Sequence, residues 1–102
     1  MSRIARLAVL QQILDLRLVP TVWASAEDIY QRVAEALFEG GVPIIEVLQR
    51  APGDTIPKTN LDAIYRLRKA GDMLVGCGTV HTREQAQVAI NQGAQFVVSN
   101  TF

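Results

Sequence analysis

Four short, nearly continuous apolar runs recur along this chain, at residues 18–23, 43–48, 73–78 and 95–99. Apolar character that does not alternate predicts strands of a parallel sheet buried on both faces. Between the runs, Ser25 is followed by Asp28, Thr59 by Asp62 and Thr82 by Gln85. Each pair places a hydroxyl where it can cap a helix, with an acidic or amide group three residues on. Gly40-Gly41, Gly71 and Gly93 then mark the helix ends. Ile29, Val33 and Leu37 stripe the first of these helices and Ile64 and Leu67 the second, while Ala86, Ala89 and Ile90 give the third a small-sided face. Ahead of the first strand, Ile4, Leu7 and Leu14 space an amphipathic leading helix between Arg3 and Arg17.

The predicted order is one helix, three strand-helix units and a fourth strand. Right-handed crossovers would lay the strands side by side in sequence order. A closed (β/α)8 barrel typically needs about 250 residues, and an open doubly wound sheet would normally show a glycine-rich nucleotide turn, which is not found here. The expected fold is therefore α/β: parallel (β/α) units forming the first half of a TIM-type (β/α)8 barrel, one partial domain over residues 1–102 preceded by an N-terminal helix. Strands one and four would present unpaired edges. Two copies associating, or a second half in a longer protein, would each cover them.

Composition narrows the function. About half of the 102 residues are apolar, enough for a small core. Ten basic residues balance ten acidic ones with no run of either sign, which argues against nucleic acid or an anionic membrane as partner. One Cys and one His cannot make a disulfide or a structural zinc site, so no metal is expected. The leading segment lacks the apolar core of a signal peptide or spanning helix, and a reducing cytoplasm fits.

In such a barrel the functional groups lie at the carboxyl ends of the strands. Glu46 is a lone carboxylate within the run Val42-Pro43-Ile44-Ile45-Glu46-Val47-Leu48, where an ionised group is costly unless paired or hydrogen-bonded. A functional carboxylate and a structural one satisfied by neighbouring strands both fit. Arg50 has the same parity, with its α-carbon about 13 Å from that of Glu46 at about 3.3 Å per residue. Gly76-Cys77-Gly78-Thr79-Val80 places two glycines at a strand end, either for close approach of a ligand or for barrel packing, and Thr79 offers a hydroxyl and an amide. Cys77 reads as a small buried hydrophobe, His81 as a loop residue and Trp23 as rim packing, each with a ligand-facing role as the alternative.

These segments resemble a known family. Leu18-Val19-Pro20-Thr21-Val22, Glu39 to Val47, Arg50, Val75 to Val80 and Gly93 to Ser99 are similar, in order, to the amino-terminal half of the 2-keto-3-deoxy-6-phosphogluconate / 4-hydroxy-2-oxoglutarate aldolases. The resemblance implies a homotrimeric (β/α)8 class I aldolase. Such an enzyme needs no cofactor and cleaves a 2-keto-3-deoxy sugar acid to pyruvate and an aldehyde through a lysine Schiff base. It implies Glu46 as the general acid/base, with Arg50 and Thr79 holding the pyruvate carboxylate, roles that suit a proton-moving carboxylate and cationic or hydroxyl donors. The family's Schiff-base lysine lies beyond residue 102, and the resemblance assigns that role to neither Lys58 nor Lys69. Leu48-Gln49 stands where Thr-Leu is common in the family, a departure that bears on substrate preference, and Ser99-Asn100 where Ser-Pro is usual. A non-catalytic half-barrel that dimerises or binds a small keto acid is the alternative, and another phosphate-handling barrel enzyme is a third reading.

Overall fold

The computed structural model describes residues 3–49 and 55–99. Its elements are α1 (Arg3–Leu16), β1 (Thr21–Val22), α2 (Glu27–Glu39), β2 (Ile44–Leu48), α3 (Lys58–Ala70), β3 (Leu74–Gly78), α4 (Arg83–Gln92) and β4 (Phe96–Val97). The strands form one sheet in the order β1-β2-β3-β4, every pair parallel. This is the expected run of (β/α) units. The two inner strands match their apolar runs almost end to end. The outer two shrink to two residues each, because an edge strand has a ladder on one side only.

Alternate residues of the strands serve opposite faces. Ile45 and Val47 of β2 and Val75 and Cys77 of β3 join Tyr30 and Ala34 of α2, Ala63, Ile64 and Leu67 of α3 and Ala89 of α4 in one buried cluster. Ile44 and Leu74 are equally buried but lie outside that cluster, as residues of the other face. On α2 the seam runs through Tyr30 and Ala34, with Ile29, Val33 and Leu37 flanking it half-buried. Tyr30 fits because its hydroxyl accepts a hydrogen bond from the Ala24 amide at 3.0 Å, which satisfies the polar end of a fully buried ring. On α4, Ile90 is exposed and Ala89 takes the core position.

The three glycine stops hold: Gly40, Gly71 and Gly93 follow α2, α3 and α4 as their C-caps. Of the three hydroxyl caps only Thr82 forms, accepting from the Gln85 amide at 3.1 Å while the Gln85 side chain accepts from the His81 amide at 2.7 Å. Ser25 and Thr59 miss by a residue or two. Ala26 and Pro57 occupy the caps of α2 and α3 with no side-chain bond.

Helix α1 crosses the amino ends of the strands, where Ala5, Ala8, Val9 and Gln12 face Leu74 and Gly93-Ala94-Gln95 across a groove. Its inward stripe is Ala5, Val9, Ile13 and Leu16, each half-buried. The expected stripe is therefore displaced. Leu7, Leu10 and Leu14 are more than half exposed, while the Ile4 side chain lies outside the described residues.

Candidate active site

Strand register assembles the inner face of the sheet in layers. Thr21, Glu46, Gly76 and Phe96 are partners across all four strands. The next inner layer toward the carboxyl ends pairs Leu48 with Gly78. Trp23 joins it beyond β1, lying between Val22 and Ala24, which both pack on the helical side. Val98 joins it beyond β4, following Val97 of the helical side and held by a 2.9 Å bond from its amide to the Cys77 carbonyl.

Glu46 lies in the first of these layers and is only 6% exposed. Its Oε2 accepts a hydrogen bond from the Thr21 hydroxyl at 3.3 Å. A β-carbon placed on Gly78 would fall on that same carboxylate oxygen. The side chain therefore reaches over the glycine into the apolar upper layer. Burial there pushes the carboxyl above its ordinary value, and the Thr21 bond pulls it only partly back. Of the two readings the sequence left open for these glycines, packing is the one that holds. The space above Gly78 holds the Glu46 carboxylate, and the space above Gly76 holds the Phe96 ring.

This shift has a sign that can be measured. The native carboxyl keeps its proton to higher pH than the unfolded chain, whose value is near 4.5. The stability it contributes is complete below that value and is lost as pH rises from there through the raised native pKa. Glu46→Gln should flatten this fall. Urea midpoints of both proteins between about pH 4 and pH 8 check it, and curves that stay parallel would count against a shifted carboxyl.

Thr79, one residue beyond Gly78, is half-buried and adopts φ 59°, a left-handed conformation that is a true outlier for a β-branched residue. Such strain persists only where the surroundings impose it. Arg50 lies outside the described residues. Its neighbour Gln49 is fully buried, and among the described residues neither of its carboxamide atoms finds a hydrogen-bond partner.

The two lysines sit away from this layer. Lys58 opens α3, and its Nζ lies 2.5 Å from Asp62, which holds its pKa above the usual lysine value. A lysine so protonated is a poor amine nucleophile. Lys69 stands over the Tyr65 ring on the outer helical layer. Cys77 points to the helical core, its thiol pushed up to about 12 by burial and by the neighbouring Glu46 charge. His81 is exposed, as expected.

Sequence reasoning missed Thr21 as the partner of Glu46, because register across strands is not written in either strand alone. It also missed Phe96. Nothing in the sequence pairs Phe96 with Gly76 until β3 and β4 are in register.

Fold and site together define the leading half of a (β/α)8 barrel with a buried carboxylate on its inner face. The sequence model described as KDPG and KHG aldolase matches residues 9–102, and the chain belongs to that aldolase family. It is 39% identical over 87 residues to the 2-dehydro-3-deoxy-phosphogluconate aldolase of Treponema pallidum, a match covering 85% of this chain and 39% of that protein. The solved 2-keto-3-deoxy-6-phosphogluconate aldolase of Zymomonas mobilis ZM4, crystallised with 3-phosphoglycerate, superposes with a TM-score of 0.68 at 30% identity, covering 79% of this chain and 36% of that one. The Legionella pneumophila KDPG aldolase, with pyruvate captured as a covalent carbinolamine, gives 0.67 at 32% identity over 79% and 37%. The chain thus spans about two fifths of the length of these relatives. Among the described residues no helix is long and apolar enough to cross a membrane.

Proposed function

We propose that this chain is the pyruvate-handling portion of a class I aldolase that reversibly cleaves a 2-keto acid to pyruvate and an aldehyde. The Schiff-base lysine would come from a segment this chain does not contain. The observation that carries the reading is the Glu46 carboxylate, buried beside Thr21 and over Gly78 with its proton affinity raised. A carboxyl tuned upward can give and take protons nearer neutrality, as carbinolamine formation and retro-aldol cleavage require. Thr79, with Arg50, would hold the pyruvate carboxylate, and the strained Thr79 backbone accords with a position kept for binding. The covalent pyruvate of the Legionella relative supports the same chemistry. The complete enzyme would be a cytoplasmic homotrimer.

The reading makes a sharp prediction for the 102-residue chain. Purified protein should show no retro-aldol turnover, and borohydride in the presence of pyruvate should trap no adduct. Pyruvate should nevertheless perturb the NMR signals of Glu46 and Thr79. Turnover that survives replacement of both Lys58 and Lys69 would overturn the class I assignment, and absence of any pyruvate response would overturn the site.

The open edges at β1 and β4 favour a second reading, a half-barrel that associates with a second copy and binds a keto acid without cleaving it. Sedimentation at micromolar concentration distinguishes a dimer of this kind from a monomer.

A further inference from the structure

The face formed by α2 and α3 owes its shape to this chain alone, since both helices are described throughout and pack on the inner strands β2 and β3. Near the carboxyl ends of the two helices lies a hollow of about 160 Å³ walled by Ala34, Phe38, Leu67, Ala70 and Met73. That volume suits one aromatic ring, as an apolar cavity of about 150 Å³ takes up benzene. The exposed carboxylates Glu35, Glu39 and Asp72 line it too. So does Gln31, whose buried Nε2 has no hydrogen-bond partner among the described residues. An adjoining groove shares Gln31, Glu35 and Ala70 with the hollow and carries the opposite features. Tyr65 is 51% exposed there, with the Lys69 ammonium 5.9 Å from its ring centre. Arg66, the other cation of the groove, is paired with Glu27.

We propose that this face is a self-complementary interface between two copies of the chain, each inserting Tyr65 into the other's hollow. A two-fold axis near Glu35 and Ala70, residues common to both halves of the face, exchanges ring and hollow and makes every contact twice. Insertion takes two half-exposed aromatic residues, Tyr65 and Phe38, out of water. The phenol oxygen accepts from the orphaned Gln31 Nε2, which an apolar occupant does not. Lys69 travels with the ring and brings an ammonium to Glu39 and Asp72, the carboxylates of the acidic half. The contact uses no strand edge, so it is separate from association through β1 and β4.

Sedimentation equilibrium from about 1 to about 200 µM tests the interface, with an expected dimer Kd of about 100 µM or tighter, as suits a small contact. Tyr65 is exposed, so Tyr65→Ala should leave the circular dichroism unchanged and weaken the dimer about tenfold or more. Lys69→Glu should weaken it similarly by setting a carboxylate against Glu39 and Asp72. Adding Glu39→Lys to that variant reverses the pair on both sides of the axis and should return Kd to within about threefold of the original. A folding defect would not be rescued in this way. A monomer at every concentration would overturn the proposal. A dimer indifferent to Tyr65→Ala is made through the strand edges or elsewhere and would also overturn it. Loss in Lys69→Glu without rescue, or assembly that grows past the dimer, would overturn the two-fold arrangement.

Discussion

Gly78→Ala is expected to lower the thermal midpoint by roughly 10 °C, a loss of ~2 kcal/mol in a chain of this size. The added β-carbon would land on Glu46 Oε2 and crowd Cδ and Cγ behind it. Gly78 lies in a central strand, laddered to β2, with its carbonyl accepting from the Gln49 amide. The carboxylate is the softer partner and would swing away. That movement costs an off-rotamer side chain at about 1 kcal/mol and the Thr21 hydrogen bond at about another. The Glu46 pKa should then fall toward the ordinary carboxylate range as the group leaves its buried position. A double-mutant cycle isolates the cause: on a Glu46→Ala background the same Gly78→Ala change should be nearly neutral. An equal loss on both backgrounds would mean that the glycine is needed for some reason other than the carboxylate.

Thr79→Gly should produce opposite effects on stability and binding. Releasing a β-branched residue from a left-handed backbone recovers about 1–2 kcal/mol. The glycine returns roughly 0.5–1 kcal/mol of that through the greater freedom of the unfolded chain. A net gain of about 0.5–1 kcal/mol should remain, visible as a higher urea midpoint. Keto-acid binding should weaken by about tenfold with loss of a hydroxyl bond to a charged carboxylate. Thr79→Val separates the two terms, since it keeps the strain and deletes only the hydroxyl. Valine should bind as weakly as glycine with no gain in stability. If glycine binds as well as threonine, the hydroxyl is not a ligand-holding group.

The repeating units were legible because each level of the sequence agrees with the others. Apolar runs of strand length, glycines at the helix ends and the Thr82 cap all point to the same boundaries. The caps of α2 and α3 were not legible, since Ser25 and Thr59 are good capping residues that tertiary packing passed over for Ala26 and Pro57. The displaced stripe on α1 has a related origin. Leucines at 7, 10 and 14 carry the stronger apolar signal, yet the helix turns its smaller Ala5 and Val9 toward the amino ends of the strands. Glu46 stood out in sequence because one charge interrupts an apolar run. Its partners did not, because Thr21, Gly78 and Phe96 acquire their meaning only once β1, β2, β3 and β4 are in register.

Cys77 gives this small fold an internal clock. The chain has one thiol, on a central strand, fully buried and held protonated to about pH 12. Alkylating reagents attack the thiolate, so the closed protein is almost invisible to them, and modification proceeds only through openings that lift β3 out of the helical layer. The labelling rate under native conditions therefore measures how often the strand that carries Gly78 and leads into Thr79 comes apart. A ligand that holds the site together would slow that clock without touching the sulfur.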